Sequence, residues 1–197
     1  MDKAIPRVML VGTGSGAGKT TVTCGILRAL MARGLSLSSF KCGPDYIDPM
    51  FHSRVLGAKS RNLDTFFTDE ETTRYLMKRG AEDTDISVVE GVMGYYDGLG
   101  GIDTKASAYD LAAVTGTPAV LVVDTRGMSL SALAEIKGFL TYKKESHIEG
   151  VILNRMSPML YPEIKKQIEE ELGIRVFGYV PKITELNLES RHLGLGL

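Results

Sequence analysis

The chain of 197 residues is poor in the features that mark several classes of protein. Its cysteines, Cys24 and Cys42, are too few to build a disulfide framework or a cysteine-based metal cluster. The net charge of −1 gives no broad basic surface and no acidic tail. Nucleic acid is therefore not an expected partner, and a disulfide-stapled secreted scaffold is not an expected class.

Long apolar runs are also missing. No segment approaches the ~18 consecutive apolar residues of a membrane span, and residues 1–7 lack the apolar core of a secretion signal. We find no internal repeat, low-complexity tract or linker. These absences predict a cytoplasmic globular protein without a membrane partner. The length suits one α/β domain, which at this size buries roughly 70% of its unfolded surface.

What the sequence does contain is a series of short apolar runs that alternate with helical periodicity. The predicted strands are Val8–Val11, Leu37–Lys41, Ile86–Glu90, Ala119–Asp124, Val151–Asn154 and Val176–Val180. Helices are predicted around Val22, Ile26 and Leu30, over Glu70–Arg79, Ser107–Val114 and Ser129–Leu140, and around Ile164, Ile168 and Leu172. Continuous β-branched runs are typical of strands covered on both faces. The pattern predicts an α/β fold with a doubly wound, mainly parallel sheet.

The richest motif is V-M-L-V-G-T-G-S-G-A-G-K-T-T at residues 8–21. A glycine-rich loop between a strand and a helix cradles phosphates with its backbone N–H groups, and the helix adds its positive dipole end. Lys19 would reach the terminal phosphates, and the Thr20 hydroxyl would ligate magnesium. The predicted nucleotide-binding residues of this loop are Gly12, Thr13, Gly14, Ser15, Gly16, Ala17, Gly18, Lys19, Thr20 and Thr21.

This phosphate loop is a variant, because the strict pattern G-x-x-x-x-G-K-[ST] has glycine where this chain has Thr13. The alternative is an ordinary glycine-rich turn. The preceding strand and following helix favour the phosphate loop, and with it a P-loop NTPase-like three-layer sandwich. Ligands then bind beyond the carboxyl ends of the strands.

Acidic residues follow the predicted strands in two long irregular segments, Cys42–Thr68 and Gly91–Lys105. A phosphate loop needs a carboxylate at a neighbouring strand tip to hold magnesium, directly or through water. Glu90 is the best placed for this role, Asp48 is the second choice and Asp64 is the reserve.

Several candidates have an ordinary structural interpretation as well. Asp45 follows Gly-Pro and suits a tight turn, so it is either a turn residue or a functional one. Tyr95 and Tyr96 are either packing residues or the wall of a binding pocket. The histidines are scattered without metal-ligand spacing, which argues against a metal site built on them.

Taken together, the motifs resemble the amino-terminal synthetase domain of cobyrinate a,c-diamide synthase. The resemblance rests on the phosphate loop and on K-C-G-P-D-Y-I-D-P, N-L-D, E-G-V-M-G-Y-Y-D-G, V-I-L-N-R and R-H-L-G-L, which together run over almost the whole chain. One departure is Lys105–Ala108, where the family commonly has Ser-Thr-Ala. The resemblance implies an enzyme, an ATP-dependent carbon–nitrogen ligase that uses ATP and Mg²⁺ and converts the a and c carboxylates of a tetrapyrrole to amides.

The resemblance also implies partners and roles. Residues 1–197 would be the amidoligase domain, cut before a carboxy-terminal glutaminase domain that supplies ammonia, and the chain is expected to form a homodimer. Lys41 is expected at the tip of a strand beside the phosphate loop. The implied roles are catalysis by Lys41, Asp45 and Asp97, metal binding by Thr20, Asp48 and Glu90, base recognition by Asn154 and Pro181, and substrate binding by Tyr46, Ile47, Tyr95 and Tyr96.

Three alternatives remain open at this point. The first is a related carboxylate activator, either a nickel-sirohydrochlorin a,c-diamide synthase or a dethiobiotin synthase. The second is a nucleotide-switch ATPase of the partitioning type, although the position of that class's second lysine is Gly14 here. The third is a binding module that turns over only when a glutaminase is present.

Overall fold

The computed structural model describes residues 6–45, 49, 52–53 and 57–183. Tyr46, Ile47 and Asp48, which the sequence places in the substrate and metal sites, lie outside the described residues. Within the described part of the chain, no helix is long and apolar enough to cross a membrane.

The strands and helices alternate along the chain as the apolar pattern predicts. The strands are β1 Arg7–Gly12, β2 Leu37–Cys42, β3 Lys59–Leu63, β4 Ile86–Glu90, β5 Ala119–Asp124, β6 Ile148–Asn154 and β7 Arg175–Val180. The helices are α1 Lys19–Ala32, α2 Glu70–Gly80, α3 Ala108–Thr115, α4 Ser131–Thr141 and α5 Tyr161–Leu172, and a 3₁₀ turn covers Leu99–Gly101.

All paired strands are parallel and form one seven-stranded sheet in the order β3-β2-β4-β1-β5-β6-β7. The central strand β1 lies between β4 and β5. On one side of β1 the strands follow chain order as β5, β6 and β7, and on the other side they lie in the order β4, β2 and β3. Strands are thus added on both sides of β1, which is the doubly wound arrangement. The carboxyl ends of all the strands lie at one edge of the sheet, and the phosphate loop leaves β1 at that edge.

Side chains alternate between two apolar layers because successive residues of a strand point to opposite faces. Leu10 of β1 packs with Val22 and Leu27 of α1 on one face. Met9 and Val11 pack in the larger cluster on the other face, which includes the following residues of α2, α3, α4 and α5: Met77, Leu111, Ile136 and Ile164. Both faces are thus covered, and the predicted three-layer α/β sandwich is confirmed.

The structure corrects the sequence interpretation in three places. The segment predicted as an irregular loop from Cys42 to Thr68 contains β3, a polar edge strand whose only partner in the described sheet is β2. Its sequence K-S-R-N-L lacks the apolar run on which the prediction relied. β6 begins at Ile148 rather than Val151. β2 pairs with β4 and not with β1, so the expected place of Lys41 directly beside the phosphate-loop strand is wrong.

Candidate nucleotide and metal site

The phosphate loop joins β1 directly to α1. Gly18 precedes the helix in a left-handed conformation with φ 95°, and no side chain caps the first turn. That turn also contains no acidic residue. Its N–H groups and positive dipole end are therefore available to an anion. Thr13 is not among the residues with positive φ, which explains why the loop tolerates it where the strict pattern has glycine.

Gly18 is required because Asn154 lies against it. A Cβ at Gly18 would clash with Asn154 Nδ2. The same Nδ2 donates to the carbonyl of Ala17 over 2.8 Å. Asn154 is buried, and its backbone carbonyl accepts from both the N–H and the hydroxyl of Thr125, each over 2.9 Å. The end of β6 thus supports the phosphate loop from behind.

Lys19 is held over the loop by two backbone carbonyls. Its Nζ donates to Gly14 O over 3.0 Å and to Met93 O over 2.5 Å. Met93 follows β4 and has a positive φ of 46°, which is strained for a residue with a side chain. Strain of this kind is common at functional sites. The loop after β4 therefore provides a resting position for the ammonium that is predicted to bind phosphate.

The centre of the site is Glu90 at the end of β4, whose side chain has no exposed surface. Its Oε1 accepts from Thr20 Oγ1 over 2.5 Å and from Lys41 Nζ over 2.8 Å. Lys41 pairs in register with Glu90 across β2 and β4, which brings the two charges together at the strand ends. A buried carboxylate is tolerated only when it is paired and hydrogen-bonded, and Lys41 supplies that pairing.

These residues fit a magnesium ion. Thr20 and Glu90, both predicted ligands, are in hydrogen-bond contact, while the buried Oε2 of Glu90 has no hydrogen-bond partner within the described residues. Among those residues no three His, Cys, Asp or Glu side chains gather into a metal site. Mg²⁺ is usually held by one or two carboxylates together with phosphate oxygens and water, so the protein need not supply a full cage.

The turn after β2 is fixed to β3. Asn62 Nδ2 donates to the carbonyls of Gly43 and Asp45, over 2.8 and 2.6 Å. The Asp45 carboxylate lies 3.9 Å from Lys41 Nζ and is partly exposed. Both interpretations of Asp45 are thus represented: its backbone belongs to a braced turn, and its side chain faces the site. Asp64 bonds within its own turn, where it accepts from the N–H of Phe66.

The two tyrosines after β4 differ in accessibility. Tyr95 has no exposed surface, and its hydroxyl donates to Ser146 O over 2.7 Å. Burial raises the pKa of Tyr95 far above its ordinary value and that of Tyr96 to about 12. The packing interpretation therefore describes the Tyr95 side chain, which also belongs to the wall of a cavity beside Tyr96. Tyr96 is partly exposed, although its hydroxyl donates to Phe139 O over 2.6 Å.

A cavity of about 550 Å³ opens beside Tyr96. Its walls include Asp97, Ile102, Glu135, Phe139 and Tyr142. Asp97 is exposed, and one of its carboxylate oxygens accepts from the N–H of Gly94 over 3.0 Å. Asp97 thus lies in the turn that also carries the Lys19 contact at Met93. The cavity is thus lined both by Asp97, the predicted catalytic carboxylate, and by aromatic side chains that could pack against a ring.

The residues predicted to read the base lie at neighbouring strand ends. Asn154 pairs in register with Val180, and Pro181 follows as an exposed residue. The described contacts of the Asn154 side chain are to the phosphate loop, so its base-reading role stays a prediction. Arg155, which the sequence interpretation missed, donates through Nη1 to Gly16 O over 3.1 Å and to Asp124 Oδ2 over 2.8 Å.

Other residues of the site were missed as well. His52 is buried, with Nε2 3.5 Å from Glu90 Oε2. Its sequence context gives no metal-ligand spacing, and only the fold brings it to Glu90. The contribution of Met93 is a backbone carbonyl, which leaves no sequence signal. Asn62 belongs to the N-L-D motif, and that motif was the available signal for it.

Comparison with known proteins agrees with this geometry. The family model described as "CobQ/CobB/MinD/ParA nucleotide binding domain" matches residues 8–195. A cobyrinate a,c-diamide synthase of Thermoplasma volcanium is 47% identical over 192 residues, which are 97% of this chain and 42% of that protein. The Priestia megaterium protein of the same name is 42% identical over 190 residues, 96% of this chain and 41% of that protein. The predicted resemblance is thereby confirmed.

This chain spans less than half the length of those relatives. Solved structures show the fold alone. Chloroplast FtsY from Physcomitrella patens superposes with a TM-score of 0.64 at 15% identity, covering 93% of this chain and 61% of that one. The hydrogenase maturation factor HypB from Archaeoglobus fulgidus gives 0.56 at 12% identity, covering 88% and 80%.

Proposed function

Because the chain belongs to the CobQ/CobB/MinD/ParA nucleotide binding domain family, we propose that it binds ATP and activates carboxylates of cobyrinate for conversion to amides. The observation that carries the proposal is the Glu90 network, in which Thr20 of the phosphate loop and Lys41 of β2 meet on one buried carboxylate oxygen. The names of the relatives support the substrate class.

The chemistry begins with an unreactive acid, because a carboxylate would have to expel oxide. An oxygen of the a or c carboxylate attacks the γ-phosphorus of ATP, ADP leaves, and an acyl phosphate forms. Ammonia then attacks the carbonyl carbon, phosphate leaves, and the nitrogen loses a proton. The first step needs positioning and charge neutralisation more than a base, since the nucleophile is already an anion.

Each charged residue has a proposed part in these steps. The loop N–H groups and the Lys19 ammonium hold the β- and γ-phosphates. Lys41 balances charge on the phosphoryl oxygens or on the acceptor carboxylate. Asp45 and Asp97 orient ammonia and accept its proton. Losing one preorganised contact of this kind typically costs on the order of 3 kcal/mol, about a hundredfold in rate.

The metal and substrate sites complete the proposal. A magnesium ion would be held by Thr20, Glu90 and Asp48 and would neutralise charge on the phosphates. The tetrapyrrole would lie against Tyr96 and the cavity beside Asp97, with Tyr46 and Ile47 as further contacts. Ammonia would come from a glutaminase unit or from ammonium salts, and the base of ATP would lie near Asn154 and Pro181.

Mass spectrometry tests this function directly. The chain is incubated with ATP, Mg²⁺ and ammonium chloride, together with cobyrinate or with nickel-sirohydrochlorin. We expect two successive acid-to-amide mass changes in cobyrinate and none when ATP is omitted. Lys19→Ala is the matched inactive control.

Each other outcome identifies an alternative. Conversion of nickel-sirohydrochlorin in preference to cobyrinate would assign the chain to that acceptor, and conversion of diaminopelargonate would make it a dethiobiotin synthase. Slow ATP hydrolysis with dimerisation and no acceptor would indicate a partitioning-type switch. Nucleotide binding without product in any mixture would overturn the proposed turnover.

A further inference from the structure

His52 is a fully buried histidine that faces the carboxylate of Glu90. Its Nε2 lies 3.5 Å from Glu90 Oε2, and its Nδ1 lies 2.9 Å from Ser39 Oγ. Ser39, in β2, is also fully buried. The three side chains therefore form a continuous line from the interior of β2 to the second oxygen of Glu90.

The contact with Ser39 decides which nitrogen of the neutral imidazole can donate to Glu90. If Nδ1 accepts the Ser39 hydroxyl proton, then Nε2 carries the N–H and directs it at Oε2. The opposite tautomer would turn an imidazole lone pair toward a carboxylate oxygen in a buried site, where electrostatic repulsion is poorly screened. The geometry therefore favours Nε2–H.

The two oxygens of Glu90 have different surroundings. Oε1 accepts from Thr20 and Lys41, whereas Oε2 makes no hydrogen bond within the described residues. The 3.5 Å separation from His52 is longer than the ~2.7–3.2 Å of a good N–H···O bond. A small rotation of the carboxylate would shorten it. Such a rotation is expected when Thr20 turns a hydroxyl lone pair to a cation instead of donating its proton to Glu90.

We infer that Ser39 and His52 position Glu90 for the cation. This inference rests on the magnesium site of the proposed function. Ser39 fixes the tautomer, and Nε2–H of His52 donates to Oε2 so that Oε1 faces Thr20 and the phosphates. His52 is a positioning residue and not a metal ligand. Hydrogen bonds to a ligating carboxylate orient it, and their loss typically costs 10–100-fold in metal affinity.

Electron paramagnetic resonance titration of Mn²⁺ with ATP tests the inference without relying on turnover. We expect His52→Leu, which keeps bulk but removes the donor, to weaken Mn²⁺ binding by about 10–100-fold. His52→Gln, which restores an N–H donor, should recover part of the loss. Ser39→Ala should weaken binding less than His52→Leu.

Ser38→Ala is the matched control for Ser39→Ala. Ser38 is the neighbouring buried serine of β2, and it bonds Ser87 Oγ over 2.7 Å, away from Glu90. It should bind Mn²⁺ as the wild type does. If His52→Leu does not fold, as judged by circular dichroism, the comparison of Ser39→Ala with Ser38→Ala decides the question.

Two failures are distinguishable. If Glu90→Gln loses Mn²⁺ binding but the His52 and Ser39 variants keep wild-type affinity, the inference is overturned and the proposed metal site stands. If the wild-type chain with ATP does not bind Mn²⁺, or if Glu90→Gln binds it unchanged, the metal site fails and the inference fails with it.

Discussion

The phosphate loop is flanked by two regions that use polar side chains in different ways. On the β4 side, Glu90 combines charged and neutral contacts from Thr20, Lys41 and His52, and one of its oxygens lacks a hydrogen bond within the described residues. On the β6 side, Asn154 bonds to the loop backbone and to Thr125 through ordinary neutral hydrogen bonds.

This difference separates a region that can exchange partners from one that holds position. Thr20 and Lys41 both donate to Glu90 and can exchange that contact. The Thr20 hydroxyl can turn to a cation, and the Lys41 ammonium can turn to phosphate oxygens. The Asn154 amide is more restricted, because a shift would break its hydrogen bond to the carbonyl of Ala17. Rigid support behind the loop keeps its N–H groups preorganised for phosphate.

The largest effect is expected on the β4 side. Glu90→Gln should lower amidation by about a hundredfold and destabilise the fold by about 3 kcal/mol, because it removes the carboxylate charge that pairs with buried Lys41 over 2.8 Å. Mass spectrometry measures the first quantity and urea denaturation the second.

A double variant sharpens this prediction. In Lys41→Met with Glu90→Leu the buried charges are replaced together, so stability should recover while activity stays lost. A double variant that is no more stable than Glu90→Gln would contradict the assignment of the stability loss to the broken Lys41–Glu90 pair.

On the β6 side, Gly18→Ala should disrupt nucleotide binding and cost more than 2 kcal/mol, since it combines left-handed strain with the contact to Asn154. Gly16→Ala is the matched control, because Gly16 also has positive φ (78°) but a Cβ there meets nothing within 4 Å. Differential scanning fluorimetry should give a clearly lower Tm for Gly18→Ala. Equal Tm values would mean that Asn154 moves away without cost.

Asn154→Ala should have a smaller effect, about 1–2 kcal/mol, because it leaves the carbonyl of Ala17 without that donor. If Asn154 only supports the loop, calorimetry should show ATP and GTP binding weakened by the same factor. A selective loss of ATP affinity would instead establish the predicted base-reading role. The β6 side would then contact the ligand directly, as the β4 side is proposed to do.

The smallest effect is expected at Cys42, at the end of β2 next to Lys41. Burial, with a further contribution from Asp64, raises the pKa of the Cys42 thiol to about 12, so the thiol stays protonated and unreactive through pH 9. Peptide mapping after iodoacetamide treatment at pH 9 should find Cys42 unmodified in folded protein and modified in urea. Reaction in the folded state would show that the β4 side opens transiently.

The sequence was informative wherever function and fold depend on local pattern. Continuous apolar runs predicted β1, β4 and β5, and the glycine-rich turn predicted the phosphate loop. It failed at β3, because an edge strand needs no apolar run and K-S-R-N-L has none. It also misjudged the neighbour of β2, since strand order follows from crossovers and not from the composition of a strand.

By itself, then, the sequence determined the α/β class, the phosphate loop and the charged residues at the carboxyl ends of the strands. These follow from periodicity and residue chemistry. Only the tertiary structure decided which of them touch. Because β4 lies between β1 and β2, Glu90 contacts both Thr20 and Lys41. Burial places Ser39 and His52 behind that carboxylate and Asn154 behind the loop, since packing joins side chains that are distant along the chain.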